Sequence, residues 1–344
     1  MIKEAIQKLV EKQSLTLEEA AAVMEEMMEG KATPSQLSAF LTALRIKGET
    51  ADEIAGLASV MRAKAIIVTV DEPVLDIVGT GADGCFTFNI STAAALVAAG
   101  AGIKVAKHGN RSMSSQCGSA DVLEALGVKI DLNAERVERC IEEAGIGFMF
   151  AQSFHPAMKY VAPIRRELGF RTVFNILGPL TNPARADSMV IGVPDESLGE
   201  KIALTMSHLG VRHSMVVHGT IGTDEIDISG KTTVWEHIKK EKEARLKYTV
   251  EPKDFGLRKS FGQAIKGGTA KENANIICKV LSGEESPRRD IVVMNAAAGI
   301  AVSTLEHLTK TEDMYRCARI AEESIDSGRA MIALKKLIEV SNKE

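Results

Sequence analysis

The stretch from Asp76 to Asp121 constrains this chain most, because it places two glycine-rich turns behind two consecutive strand-like runs. Leu75–Val78 is apolar and empties into Gly79-Thr-Gly-Ala-Asp83, after which a Ser/Thr cap at Ser91 and Thr92 opens a helix of small residues. Ile103–Ala106 repeats the pattern and empties into Lys107-His108-Gly109-Asn110-Arg111 and a chain of serines. Both turns then fall at the carboxyl ends of neighbouring strands, where open α/β sheets bind ligands. Glycines let backbone amides approach an anion, and a helix N-terminus adds unpaired N–H groups and a favourable dipole. Two such turns in tandem, rich in hydroxyl and basic side chains, predict a ligand with several phosphates. The glycine order is neither GxGxxG nor GxxxxGK[ST], so a dinucleotide or P-loop site fits poorly.

The chain around this stretch divides into two patterns. Residues 1–65 read as entirely helical: Ile2, Ile6, Leu9 and Val10 give one apolar stripe at helical spacing. Thr16 with Glu19, Thr33 with Gln36 and Thr50 with Glu53 are three capping boxes. Pro34 sits at a first helical position, and Gly30 and Gly48 at helix ends. The short helices carry Met24, Met27, Met28, Leu37, Phe40, Leu41 and Leu44, more apolar surface than a small bundle easily buries. An ordinary core and a subunit interface are both open readings. From Val74 onward, short apolar runs (Leu75–Val78, Ile103–Ala106, Gly147–Phe150, Met189–Val193, Ser214–Val217, Thr232–Ile238) alternate with helical stretches such as Asn133–Ala144 and Asp195–Leu209. That rhythm predicts a mainly parallel sheet covered on both faces. The fold class is therefore α/β, with a small all-helical domain over residues 1–70 and a large α/β domain over 71–344. A Lys/Arg-rich excursion near residues 156–185 interrupts the rhythm and is expected to return to the helical domain. Trp235–Tyr248 reads as antiparallel or edge structure, and helices over Thr269–Leu281, Asp290–Ser303 and Asp313–Val340 finish the chain.

Composition removes several classes. A formal net charge of -4 and a pI near 6.1 argue against nucleic acid as the main partner. No apolar run reaches the roughly 18 residues of a membrane helix, and the amphipathic amino terminus lacks the apolar core of a signal peptide. The five cysteines are scattered, odd in number and without a CxxC pair. They read as free thiols of a cytoplasmic protein rather than a disulfide framework or zinc site.

The groups with chemistry to offer are these. Asp83 is an anion inside an anion-friendly turn, suited to sugar hydroxyls or a metal. Thr87, Asn89, Ser91 and Thr92 can donate at the helix start, although a plain helix cap explains Ser91 or Thr92 alone. Lys107, His108 and Arg111 bring positive charge to the second turn beside Ser112, Ser114, Ser115 and Ser119; His108 alone reads equally as a structural histidine. Asp121 is expected in the first turn of the helix it opens. Asp224 and Glu225 follow a strand and the turn His218-Gly-Thr-Ile-Gly-Thr. Adjacent carboxylates are usually a solvated turn, but hard oxygen ligands after a sheet strand also suit Mg²⁺ with substrate phosphates. The helix with Lys159, Arg165 and Arg166 is either a solvated face or, through arginine's planar fork, a carboxylate site.

Four motifs in this order, GTGADGCFTFNIST, KHGNRSMSSQCGSADVLEALG, HPAMKYVAPIRRELGFRTVFNILGPLTNPA and the late Asp-Glu pair, resemble the anthranilate phosphoribosyltransferase family over nearly the whole chain. The resemblance implies the nucleoside-phosphorylase-like fold and attack of the anthranilate amino nitrogen on C1 of phosphoribosyl pyrophosphate (PRPP), releasing pyrophosphate. That reaction is the second step of tryptophan biosynthesis from chorismate. It also implies Mg²⁺, a homodimer formed through the helical domain, and no nucleic-acid or membrane partner. By position it assigns Gly79, Ala82, Asp83, Thr87, Asn89, Ile90, Ser91, Thr92 and the loop Lys107, His108, Gly109, Asn110, Arg111, Ser112, Met113, Ser114, Ser115, with Ser119, to PRPP. It assigns Gly79, Asn110, Arg165 and His155 to anthranilate, and Ser91, Asp224 and Glu225 to the metal. Two positions depart from the family: Ala82 replaces a third glycine, and Cys117 replaces a serine. An aromatic amine is neutral at pH 7, so no essential general base is expected. Catalysis is expected to come from orientation and leaving-group stabilisation. A pyrimidine-nucleoside phosphorylase shares the fold and is the nearest alternative, and a catalytically idle nucleic-acid-binding homologue is a more distant one.

Overall fold

The computed structural model describes residues 1–81, 84–112, 116–239, 245–307 and 309–343. The chain opens with helices α1 (Ile2–Val10), α2 (Leu17–Met28), α3 (Pro34–Lys47) and α4 (Ala51–Lys64). The three expected capping boxes form, each Thr hydroxyl accepting the backbone N–H three residues on and each Glu or Gln returning the bond. Each such cap stabilises its helix by about 1 kcal/mol. Glu53 does more than cap. Its fully buried carboxylate also accepts Leu15 N at 2.9 Å and Lys47 Nζ at 2.9 Å, tying the start of α2 and the end of α3 to α4. A buried charge is tolerable when its oxygens are satisfied in this way. The α1 stripe is narrower than expected: Ile2, Ala5 and Leu9 are buried, but Val10 is 65% exposed.

The remainder runs β1 (Leu75–Gly79), α5 (Ile90–Gly100), β2 (Val105–Gly109), α6 (Ser119–Ala125), α7 (Ala134–Ala144), β3 (Ile146–Phe150), α8 (Ala151–Phe154), α9 (Ala162–Leu168), α10 (Phe174–Leu180), β4 (Ser188–Gly192), α11 (Gly199–His208) and β5 (His213–Gly219). It ends with β6 (Thr232–Ile238), β7 (Arg245–Val250), α12 (Ala270–Leu281), α13 (Pro287–Thr304), α14 (Thr311–Asp326) and α15 (Arg329–Asn342). Among the described residues the strands form one sheet in the order β3-β2-β1-β4-β5-β6-β7, parallel as far as β5 and antiparallel thereafter. The chain steps from β1 towards β3 on one side and from β4 towards β5 on the other. The strand order therefore reverses between β1 and β4, whose register pairs Gly79 with Gly192. With right-handed crossovers, opposite directions of travel put the covering helices on opposite faces. α5 and α13 accordingly pack on β1, and α11 packs on β5 and β6 while also touching α4.

Two expectations are corrected. The final predicted helix is two: Gly328, with φ +78°, breaks it between α14 and α15. And β2 extends past Ala106 to Gly109, so Lys107 and His108 are strand residues rather than loop residues. The strand tolerates a lysine there because its Nζ donates to Ile77 O at 2.6 Å and its charge faces Asp76.

Segment 156–180 lies against the helical unit. Its first turn packs on α2, α9 on α3, and α10 on α4. At the end of α4, buried Arg62 donates to Leu180 O at 2.6 Å and Leu209 O at 3.3 Å. It thereby satisfies carbonyls at the C-termini of α10 and α11, where a cation is favoured.

Candidate active site

Because strands point their carboxyl ends the same way, the β1/β4 boundary leaves a crevice at Gly79 and Gly192, the switch point at which such sheets bind ligands. The turn Thr223–Ile226 fills its floor. A Cβ on Gly192 would collide with the backbone of Asp224, and one on Gly79 with its carboxylate, so these two strand ends must be glycine. Asp224 and Glu225 are each only 8% exposed. The pair is therefore no solvated turn. Asp224 Oδ2 accepts Gly81 N–H at 2.7 Å and Glu225 Oε1 accepts Ser91 N–H at 3.2 Å. The acidic pair thus reaches both the first glycine-rich turn and the N-terminus of α5. Asn295, fully buried on α13, fixes the turn by accepting Ile226 N–H at 3.0 Å and donating to Ile226 O at 3.2 Å.

The start of α5 differs from the expected Ser/Thr cap. Its N-cap is Asn89, whose side chain makes no capping bond. Asn89 instead donates to Cys117 O at 3.2 Å, and its Oδ1 accepts Asn273 Nδ2 at 2.9 Å. The Thr92 hydroxyl is buried and has no hydrogen-bond partner among the described residues. Thr87 sits on a short antiparallel bridge to Lys266. Gly81 is held from outside as well, by Arg171 Nη2 on its carbonyl at 3.2 Å. Ala82 and Asp83 lie outside the described residues, as do Met113, Ser114 and Ser115.

The second turn presents less free charge than its sequence suggests. His108 is buried beside Lys107, and burial, with the neighbouring His155 ring, pushes its pKa down to about 3. Its Nδ1 faces Gly178 O at 3.2 Å, so that nitrogen carries the proton and Nε2 is an acceptor. His155, also buried and pushed down to about 4, lies 5.1 Å away centroid to centroid. Neither Nε2 has a hydrogen-bond partner among the described residues. Burial raises the pKa of Asp76 to about 6 and lowers that of Lys107; the Asp76 carboxylate accepts Asn182 Nδ2 at 2.8 Å. Arg111 turns to Asp121 at 2.8 Å and Glu124 at 2.9 Å. Asp121 sits in the first turn of α6 as expected, accepting Gly118 N at 2.8 Å and Ser112 N at 3.1 Å. Ser119 Oγ donates to Asn110 O at 3.3 Å, and Asn110 Oδ1 accepts Arg111 N at 2.8 Å. Gly109 closes β2 against Phe150 of β3.

Arg165, half-buried on α9, places its guanidinium 5.3 Å from the centroid of the Phe174 ring, and that guanidinium has no hydrogen-bond or ion-pair partner among the described residues. Desolvation lowers its pKa, so its charge is poorly hydrated and receptive to an anion. It joins the crevice through α10, whose Phe174 it stacks on and whose Gly178 meets His108; it makes no direct bond to Gly79 or Asn110. Ser91, Asp224 and Glu225 supply only hard oxygen atoms, the donor set that suits Mg²⁺. Sequence reasoning missed Arg171, Asn273 and Asn295. Asn295 left a trace as the one polar residue in the apolar run Ile291–Ala298; the other two had no local signal.

The family model described as "Glycosyl transferase family, a/b domain" matches residues 71–331, and that described as "Glycosyl transferase family, helical bundle domain" matches residues 3–65. An anthranilate phosphoribosyltransferase of Dehalococcoides mccartyi is 58% identical over 341 residues, covering 99% of this chain and 98% of that one. One from Chloroflexus aggregans is 54% identical over 344 residues, covering 100% and 99%. The crystal structure of anthranilate phosphoribosyltransferase from Thermus thermophilus superposes with a TM-score of 0.91 at 42% identity, over 98% of this chain and 99% of that one. The Saccharomyces cerevisiae anthranilate phosphoribosyltransferase in complex with PRPP and Mg gives a TM-score of 0.87 at 32% identity, over 99% and 97%. With both domains matched and full-length relatives above half identical, this chain belongs to the anthranilate phosphoribosyltransferase family.

Proposed function

We propose that this protein transfers the phosphoribosyl group of PRPP to the amino nitrogen of anthranilate, giving N-(5-phosphoribosyl)anthranilate and pyrophosphate in tryptophan biosynthesis. The observation that carries the reading is the pair Asp224 and Glu225, buried at the strand-order reversal and bonded to Gly81 N and Ser91 N. Those amides are where phosphate oxygens belong, and those carboxylates are where a divalent cation belongs.

Ser91, Asp224 and Glu225 would hold Mg²⁺ in this reading, and the ion would supply positive charge to stabilise the leaving pyrophosphate. Gly79, Ala82, Asp83, Thr87 and Asn89–Thr92 form the pyrophosphate end. Gly109–Ser112, Met113–Ser115 and Ser119 wrap the ligand from β2, with Lys107 and His108 beneath as a buried floor. Asn110, Gly79 and His155 border the aromatic acceptor, and Arg165 receives its carboxylate. His108 and His155 are neutral at pH 7 and are not required as a base, because the amine is already a free nucleophile. The rate comes from orienting the amine on C1 and stabilising the leaving group.

A helical unit over 1–70, joined by segment 156–185, and a PRPP-binding unit over 71–344 are the division this mechanism uses. The groove between α1 and α3, edged by Ile46 at 76% exposure and Val10 at 65%, supports homodimerisation through the helical unit. Calorimetric titration of PRPP tests the site: binding is expected with Mg²⁺ and not without it, and lost in Asp224→Asn/Glu225→Gln. Binding of equal strength with and without the metal would sink the reading.

A further inference from the structure

We propose that Arg62 is a positioning residue for the anthranilate side of the site, acting through the C-terminal turn of α10. The proposal rests on the reading above in one respect, that Arg165 and His155 serve anthranilate.

Arg62 lies at the end of α4 with 9% exposure, and no acid pairs with it among the described residues. Burial, with Arg185 nearby, pushes its pKa down to about 10, so it keeps its charge at pH 7. Its bonds go to main-chain carbonyls alone: Nε donates to Leu180 O at 2.6 Å and Nη1 to Leu209 O at 3.3 Å. Nη2 has no partner among the described residues. Burying a cation without a counter-charge is unfavourable, and an ordinary helix end is satisfied by a glycine turn or by water instead.

The helix that Arg62 holds accounts for its presence. α10 has seven residues, and Pro179 inside it removes one main-chain donor from a short ladder. This helix nonetheless meets the site at three points. Phe174 lies 5.3 Å from the Arg165 guanidinium. Gly178 O faces His108 Nδ1 at 3.2 Å. The main chain of Thr181, one residue past the helix, bonds to the His155 ring. Leu180 O sits between the last two. The sheet grips the same turn through buried Asn182, which donates to Asp76 Oδ2 and Ala106 O, both at 2.8 Å. Arg62 is the matching grip from the helical unit. Without it, Leu180 O loses its donor in a buried setting, and the turn shifts towards another. β2, paired with β3 from Val105 to Gly109, stays where it is. The shift therefore reaches Phe174, Arg165 and the His155 ring, and spares the strand ends that face PRPP.

That predicts a split between the substrates. In Arg62→Ala the anthranilate KM at saturating PRPP rises about tenfold, while the PRPP Kd in excess Mg²⁺ stays within about twofold. Arg212→Ala is the control for lost stability alone. Arg212 also donates to helix-end carbonyls, Val302 O at 3.0 Å and Ser303 O at 3.1 Å, but it precedes β5, at the end of the sheet away from the crevice. Its removal lowers the thermal midpoint and leaves both constants within about twofold of the parent. Initial rates give the KM, titration calorimetry the Kd, and circular dichroism confirms each fold. If Arg62→Ala does not fold, Arg62→Met keeps the bulk without the donors, and the same split is expected. An unchanged anthranilate KM in the folded Arg62 variant overturns the proposal, as does a PRPP Kd that rises in step or an equal KM rise in Arg212→Ala. Failure of the unaltered protein to consume anthranilate with PRPP and Mg²⁺ overturns the functional reading itself.

Discussion

Replacing Arg165 by alanine should separate the two substrates. Its guanidinium stacks on Phe174 and is held by no acid among the described residues. The substitution therefore breaks no internal ion pair, and the fold should keep its thermal midpoint to within a few degrees. A hydrogen bond to a charged partner contributes about 1.5–3 kcal/mol. Arg165 is partly desolvated but not fully buried, so about 2 kcal/mol is the working figure, close to a thirtyfold change. Initial rates followed by loss of anthranilate fluorescence should show the anthranilate KM up by about that factor while the PRPP KM stays within about twofold. Lysine should recover only part of the loss, since it carries charge without the planar fork. Equal increases in both KM values would mean that Arg165 has another task.

Other substitutions probe the supports. Asn295→Ala leaves Ile226 N–H and C=O buried without their partner, each at about 1–3 kcal/mol. Urea unfolding should show a loss of about 2–4 kcal/mol, and half-saturating Mg²⁺ for PRPP binding should rise; unchanged metal dependence would show that the turn holds its carboxylates unaided. Acid stability tests the buried histidines. His108 and His155 titrate at about 3 and about 4 in the fold but near 6.5 when unfolded, so the unfolded chain binds more protons in between. Stability then falls as pH falls through roughly 6.5 to 4. Asp76, raised to about 6, has the opposite sign over much of that window and offsets one histidine. His155→Gln should make the loss shallower by about 1.4 kcal/mol per pH unit. Parallel slopes for variant and parent would contradict the assigned burial.

Short-range signals carried most of the architecture. Thr16, Thr33 and Thr50 each need only a residue three positions on, and all three caps form. The alternation of apolar runs with helices located β1 to β6 to within a few residues, while β7 was covered only by the charged stretch Trp235–Tyr248, read as antiparallel or edge structure. What the sequence hid depends on partners far along the chain. Lys107 looks like a loop residue until Ile77 O and Asp76 are placed beside it. Asn89 reads as a hydrogen-bond donor open to a ligand at the helix start until Asn273 arrives from 184 residues away. Asp224 and Glu225 read by spacing as a solvated turn, and only glycines at the ends of β1 and β4 let that turn sink into the sheet. Arg111 shows the reverse: its charge was legible, but its engagement by Asp121 and Glu124 was not.

One measurement tests the central claim most directly. Purified protein is mixed with anthranilate and PRPP, with and without Mg²⁺, and anthranilate fluorescence and released pyrophosphate are followed together. The account predicts that fluorescence falls only when PRPP and Mg²⁺ are both present, with one pyrophosphate formed per anthranilate consumed. It also predicts that Asp224→Asn/Glu225→Gln abolishes both signals. A folded protein that leaves anthranilate untouched under these conditions, or consumes it equally well without the metal, would contradict it.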